Sequence, residues 1–398
     1  MTMKKALICL SIVVIVVFCT LNEATALTGN CSTSLHNNVR DTSDRVPMVS
    51  RSTLDSILNR NYAIKGIFTS SPTPKGILYV GSGDHNVYAL NLATGTKTWN
   101  YTTGAFVISS PTVVNGIVYV GSMDHNVYAL NANTGTKVWS YTTGSFVDSS
   151  PTVVNGIVYV GSDDHNVYAL NANTGTKTWN YTTRDMVHSS PTVVNGIVYV
   201  GSWDHNVYAL NANTGAKVWS YTTEKPVRSS PTVVNGIVYV GGNDCNVYAL
   251  NANTGTKVWS YTTGGIVYSS PTVANGIVYV GSMDHNVYAL NANTGTKMWS
   301  YTTGYWVVSS PTVANGIVYI GSWDCNLYAL NARTGEVEWS YTTGNLMRSS
   351  PTVVNGIVYV GSDDHNVYAL NANTGTKVWS YTTGNAVLSS PTVANGIG

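Results

Sequence analysis

Charge is what this chain has least of. Charged residues make up 10% of its 398 residues, against about 25% in an average domain. Twenty Lys and Arg against nineteen Asp and Glu leave a net charge of +1. Only four glutamates occur: Glu23, Glu224, Glu336 and Glu338. With no basic patch to displace counterions from phosphates, nucleic acid is excluded as a partner. Cysteine is scarce as well. Cys9 and Cys19 fall in the apolar N-terminal stretch, which leaves Cys31, Cys245 and Cys325, an odd number that argues against a disulfide framework. After that stretch no apolar run approaches the length of a membrane span, and no segment shows helical period. The surface must therefore be built from Thr, Asn, Ser and the 27 tyrosines, a neutral, hydroxyl-rich skin suited to sugars, cell wall or other proteins.

The N-terminus reads as an export signal. Met1-Thr-Met-Lys-Lys is a basic start, Ala6 to Cys19 a short apolar run, and Ala24-Thr25-Ala26 a small-residue cleavage site. Residues 1–26 are expected to leave as a signal peptide, without a lipobox and with no membrane span afterwards. Residues 27–63, with Arg40, Asp41, Asp44, Arg45, Pro47 and Arg51 and little periodicity, read as a linker. The expected location is extracellular or the cell envelope, and the expected state a monomer.

What is abundant is repetition. Trp99, Trp139, Trp179, Trp219, Trp259, Trp299, Trp339 and Trp379 stand 40 residues apart without a slip, which is the mark of a repeat architecture. One unit shows its logic. Val107 to Val114 is a short extended run, and Asn115-Gly116 after it is a strong hairpin signal. Ile117 to Gly121 is β-branched and aromatic, fit for a central strand. Ser122-Met-Asp-His-Asn126 is a turn, Val127 to Leu130 a third strand, Asn131 to Gly135 a second turn, and Lys137 to Thr142 a fourth strand. Four short strands per 40 residues make one propeller blade, so residues 64–398 predict an all-β, eight-bladed propeller of antiparallel four-stranded blades.

The run Ala129-Leu-Asn131-Ala-Asn-Thr134-Gly135-Thr-Lys-Val-Trp139 resembles the A-x-D-x-x-T-G-K-x-x-W signature of the PQQ-like propeller repeat. Ser-Ser-Pro ahead of it and Val-Tyr-Ala-Leu inside it fit as well, and the resemblance covers residues 67 to 397. That family includes quinoprotein dehydrogenases and the bacterial outer-membrane assembly lipoprotein. The resemblance implies that all eight tryptophans dock on the neighbouring blade. Two departures stand out: the motif Asp is Asn here (Asn91, Asn131 and their copies), and Lys sits one place late.

Eight fourth strands mean eight blades, yet there are nine copies of the first strand. Ala386 to Ala394 begins a further unit, while Phe68 to Lys75 is one residue short and off-consensus. Either the C-terminal copy fastens the ring in blade one, or the chain is a piece of a longer array.

Two places vary among the copies. One is the residue before the turn Asp: Gly83, Met123, Asp163, Trp203, Asn243, Met283, Trp323 and Asp363. The other joins one blade to the next, with Phe106, Phe146, Asp148, His188, Arg228, Tyr268, Tyr305, Trp306 and Arg348 among its members. In an up-and-down blade both lie at the same end. A scaffold position repeats because its neighbour repeats; a position that differs in every copy is unconstrained surface or a ligand-reading finger. Aromatic residues and Arg compose interface cores. The expected binding residues are therefore Met123, Trp203, Met283, Trp323, Phe106, Phe146, Asp148, His188, Arg228, Tyr268, Tyr305, Trp306 and Arg348, and the partner a protein or glycan. Drift, with these side chains packing between blades, is the alternative.

Chemical sites are not expected. The recurring turn Asp and His, with Cys245 and Cys325 in two His places, would sit about 15 Å from the axis and on the order of 10 Å apart, too far to share a zinc ion or to form a disulfide. An Asx turn explains the Asp. Calcium wants several carboxylates, and Asn at the motif Asp removes one per blade. A quinoprotein dehydrogenase needs cofactor stacking, a calcium cage and an aspartate base over the axis, which no spacing here compels. No metal, cofactor or catalytic residue is assigned; a PQQ-dependent dehydrogenase and an inert structural repeat stay as alternatives. The sequons at Asn30, Asn100 and Asn180 are weak signals.

Overall fold

The computed structural model describes residues 76–394. The expected leader, the linker and the first copy at Phe68 to Lys75 lie outside them. Within them, thirty-two strands form eight four-stranded antiparallel sheets. None of the described residues forms a helix long and apolar enough to cross a membrane.

Blade one contains β1 (Ile77–Gly81), β2 (Asn86–Asn91) and β3 (Lys97–Thr102); blade two contains β4 (Thr112–Val114), β5 (Ile117–Gly121), β6 (Asn126–Asn131) and β7 (Lys137–Thr142). Val114 pairs directly with Ile117, and Asn115 and Gly116 between them both have positive φ, 50° and 75°, as a type I′ hairpin requires. In the next turn Asn131 Oδ1 accepts the N–H groups of Asn133 and Thr134 at 2.9 and 3.0 Å. The amide oxygen at the motif's aspartate position thus holds both N–H groups of the turn. The first strand is shorter than its sequence suggests. Only Thr112–Val114 pairs, because Val107 N–H bonds Ser82 O of blade one, Ser109 Oγ accepts Gly121 N–H and Pro111 has no N–H to offer.

The core lies between blades rather than within them. Each tryptophan of the 40-residue series donates its indole N–H to a backbone carbonyl of the following blade at 2.8–3.1 Å. Trp139 shares its acceptor, Ala172 O, with Tyr119 Oη, and packs with Val127, Val147, Val158 and Leu170. The ring of Trp139 lies over Gly175, where a Cβ would stand 2.7 Å from it. Gly is demanded there twice, by that approach and by a φ of 72°.

The turn aspartates also tie blade to blade. Asp124 Oδ1 accepts Asn126 N–H at 3.0 Å, the expected Asx turn. Its Oδ2 accepts Tyr128 Oη–H and, from the preceding blade, Gly104 N–H at 2.6 Å.

The ninth copy completes the ring. Strand β32 (Thr392–Ala394) pairs with β1 as the innermost strand of blade one. Around the axis each Ser-Ser-Pro-Thr passes a hydrogen bond to the next: Ser110 N–H to Ser150 Oγ, Ser150 to Ser190, and so on until Ser390 N–H returns to Ser110 Oγ at 2.8 Å.

Candidate functional site

The two variable stretches meet at one end of every blade. Met123 N–H bonds Phe106 O, and the same bond recurs at Asp163, Trp203, Asn243, Met283, Trp323 and Asp363. At the opposite end the two copied turns bond each other, as Ala132 N–H does Gly116 O. The scaffold is thus uniform at one end and individual at the other.

The connection between blades alternates inward and outward. Val107, Val147, Val187, Val227, Val267, Val307, Met347 and Val387 are buried in the inter-blade cores. The next residue of each blade, Ile108, Asp148, His188, Arg228, Tyr268, Val308, Arg348 and Leu388, lines one cavity of about 490 Å³. Eight equivalent positions around a ring can line one cavity only at its axis. Met283, Trp306 and Trp323 complete the wall, and Ser230 and Ser270 of the hydroxyl belt contribute to the lining.

His188 and Arg348 each sit between two turn residues, 15 places ahead and 25 behind. His188 packs on Trp203, ring centroids 5.0 Å apart, and places Nε2 3.0 Å from Asp163 Oδ1. Arg348 pairs through Nε with Asp363 Oδ2 at 3.0 Å and lies 4.7 Å over the Trp323 ring. Arg228 lies over Tyr268 at 5.0 Å. Trp306 packs on Trp323 at 5.0 Å and stacks with Tyr305. The result is an aromatic and cationic arc, interrupted by Val308, on one part of the rim, with Ile108 and Leu388 adjacent to each other on another.

Of the thirteen expected binding residues, Asp148, His188, Arg228, Tyr268, Met283, Trp306, Trp323 and Arg348 line the cavity. Trp203 supports His188 from behind. Phe106 and Phe146 stand exposed over His85 and His125, Tyr305 over His285, and Met123 is half-buried beside Phe106. The sequence reading passed over Ile108, Val308 and Leu388, whose apolar character resembles core, and Asp163 and Asp363, whose partners lie on a different connection.

The site holds an unusual number of unmet polar groups. Asp148 Oδ1, Asp163 Oδ1, both ring nitrogens of His188, Asn243 Oδ1, Asp363 Oδ1 and the indole nitrogens of Trp203 and Trp323 are shielded from solvent without a hydrogen-bond partner. The 3.0 Å approach of His188 Nε2 to Asp163 Oδ1 lies off the hydrogen-bond line. Burial pushes the Asp148 carboxyl above its ordinary pKa and Asp163 adds to this, with His188 and Arg228 opposing. Burial likewise raises Asp363, with Arg348 opposing. The turn aspartates behave oppositely: burial would raise Asp124, but hydrogen bonds from Tyr128, Gly104 and Asn126 outweigh it and hold the carboxyl below its ordinary value. Cys245 and Cys325 are free thiols in turns, and burial with nearby aspartates raises the Cys325 thiol away from reactivity.

These features define a closed repeat propeller with one individual mouth. The sequence profile of the family described as outer membrane protein assembly factor BamB matches residues 48–186, 144–265, 203–310, 262–354 and 342–397, and the chain belongs to that family. Comparison with curated proteins returns no match. Among solved structures the chain is similar to BamB from Moraxella catarrhalis, at 21% identity over 71% of this chain and 90% of that one with a TM-score of 0.63. It is similar to the computationally designed Ika8 protein, at 18% identity over 71% and 89% with a TM-score of 0.65. A europium-containing methanol dehydrogenase is 16% identical over 73% and 81%, with a TM-score of 0.66. At these identities the likeness shows the fold.

Proposed function

We propose that the protein is a binding propeller of the cell envelope or cell surface that takes a protein or glycan partner at its variable face and performs no chemistry on it. One observation carries this: copies that agree almost everywhere else diverge where eight side chains, one per blade, converge on a single cavity. Neutral drift on an inert repeat favours solvated polar residues. This mouth instead concentrates Trp, Tyr and Arg, the residues of interface hot spots, and leaves buried polar atoms unpaired, at a cost that a bound partner would offset. The family's description as an outer membrane assembly factor and the expected leader both favour the envelope.

A quinone-dependent dehydrogenase is the weaker reading. Calcium takes six to eight oxygen ligands, whereas Asp148 is the one carboxylate in the cavity lining and it lies against His188 and Asp163. The residues present do not form a calcium cage.

The test is a binding screen of the mature protein against cell-wall polysaccharides, a glycan panel and purified envelope proteins, beside the Trp306→Ala/Trp323→Ala double variant. Binding that the variant loses at an unchanged melting temperature supports the reading. Equal binding by both proteins, or a large melting-temperature rise with PQQ and calcium accompanied by dye-linked alcohol oxidation, overturns it.

A further inference from the structure

Three of the unpaired groups belong together. Asp148 comes from the connection entering blade three, Asp163 from the turn of that blade, and His188 from the connection leaving it. One ligand atom from each lies within 4.8 Å of the other two. None of the three was drawn from the recurring turn Asp and His, whose spacing around the ring excludes a shared ion; they come from the variable positions, which the fold folds back onto one another.

From this geometry we infer that Asp148, Asp163 and His188 form a binding site for a divalent transition-metal ion of the zinc class. The donor set is one imidazole nitrogen and two carboxylates, which suits zinc and not calcium. A tetrahedral zinc with bonds of about 2.0–2.2 Å holds its ligands roughly 3.3 Å apart, so small side-chain movements close the site. The second indication is independent of the clustering. The Asp163 side chain is 10% exposed, and its Oδ1, with Asp148 Oδ1 and both His188 nitrogens, has no hydrogen-bond partner. These two half-buried carboxylates, with their shielded Oδ1 atoms, and the imidazole would be satisfied together by a cation between them. The Trp203 ring against His188 limits the imidazole's freedom. Asp148 and His188 face the cavity while Asp163 stands behind them, so three protein ligands would leave the fourth position open to the cavity, the arrangement of zinc sites that accept a further ligand.

This site does not depend on the partner reading: zinc can bind with no partner found, and a partner can bind with no zinc. The experiment uses the untagged mature protein, stripped with chelator and titrated with Zn²⁺ alone by calorimetry and thermal melting, with Co²⁺ in parallel for its visible absorption. One zinc per chain is expected, with a raised melting temperature and a cobalt band showing nitrogen–oxygen coordination. His188→Gln and Asp163→Asn should each weaken binding at least tenfold, roughly the least that disturbing a metal's ligand set costs, while keeping the apo protein's β-sheet circular dichroism. His125→Asn and the Cys245→Ser/Cys325→Ser double variant should bind as the parent does. No stoichiometric zinc, binding that survives His188→Gln, or binding lost with the two thiols overturns the inference.

Discussion

Ser390 donates its backbone N–H to Ser110 Oγ at 2.8 Å across 280 positions of sequence, closing a belt that every other blade continues with its neighbour. Beside it Thr392 bonds Pro111 O, Trp379 bonds Leu92 O and Gly384 N–H bonds Asp84 Oδ2. The last copy is thus joined to the first blades from axis to rim by the contacts that join all the rest.

Removing residues 385–398 should therefore open the ring. Strand β1 loses its inner partner and exposes an edge, which invites pairing with a second chain. The expected outcome is a lower melting temperature and concentration-dependent dimers in sedimentation velocity. A truncated chain that stays monomeric and melts like the parent would mean that β32 contributes nothing to closure.

The glycines separate two kinds of cost. Gly156 has a φ of 76° and nothing within 4 Å of an added Cβ, so Gly156→Ala should cost only the left-handed backbone term, about 1–2 kcal/mol. Gly175→Ala meets the Trp139 ring as well and should lose a further ~1–3 kcal/mol to overpacking. Urea denaturation of the two variants decides it; equal losses would mean the tryptophan moves aside freely.

Docking and mouth tryptophans should part company in the same way. Trp219→Ala empties an inter-blade core and should cost roughly 3–5 kcal/mol of stability. Trp203→Ala, Trp306→Ala and Trp323→Ala should each leave the fold standing and weaken partner binding by about 1–4 kcal/mol. If the three bind normally, or fail only by unfolding, the variation among copies is drift.

Acid should act through the turn aspartates. Hydrogen bonds from the Tyr hydroxyl, the turn Asn and the preceding blade hold Asp84, Asp124, Asp164, Asp204, Asp284 and Asp364 below the ordinary carboxylate pKa. Below their unfolded pKa the unfolded chain binds more protons than the native one, so the stability they contribute is full above that value and lost as pH falls through the native pKa. Asp148 and Asp363, raised by burial, work in the opposite sense: protonation relieves them as pH falls towards the ordinary carboxylate range. Melting temperature should stay level or rise slightly from pH 7 to about 5 and drop steeply below about 4. Asp148→Asn/Asp363→Asn should remove any rise and leave the acid limb. A steep loss already at pH 6 would contradict the assignment.

Much of this was legible in the chain itself. The 40-residue period of tryptophans, the Asn-Gly hairpins and the alternation of strand residues determine blade number and strand order, because each depends on local chemistry copied eight times; the docking of the tryptophans was what the family resemblance implied. Internal comparison also marked the end of the propeller where the copies diverge. What only the tertiary structure decided is which divergent residues meet. Asp163 reaches His188 over 25 positions and Arg348 reaches Asp363 over 15, because a wall residue wedges between the turns of two successive blades. Ile108, Val308 and Leu388 stand in the variable connection but were not among the expected binding residues, and in space they line the cavity. The pairing of the ninth first strand with β1 is likewise visible only in the folded register. A repeat encodes its scaffold in every copy, but the mouth is encoded once, in contacts between copies, and those contacts exist only after the ring has closed.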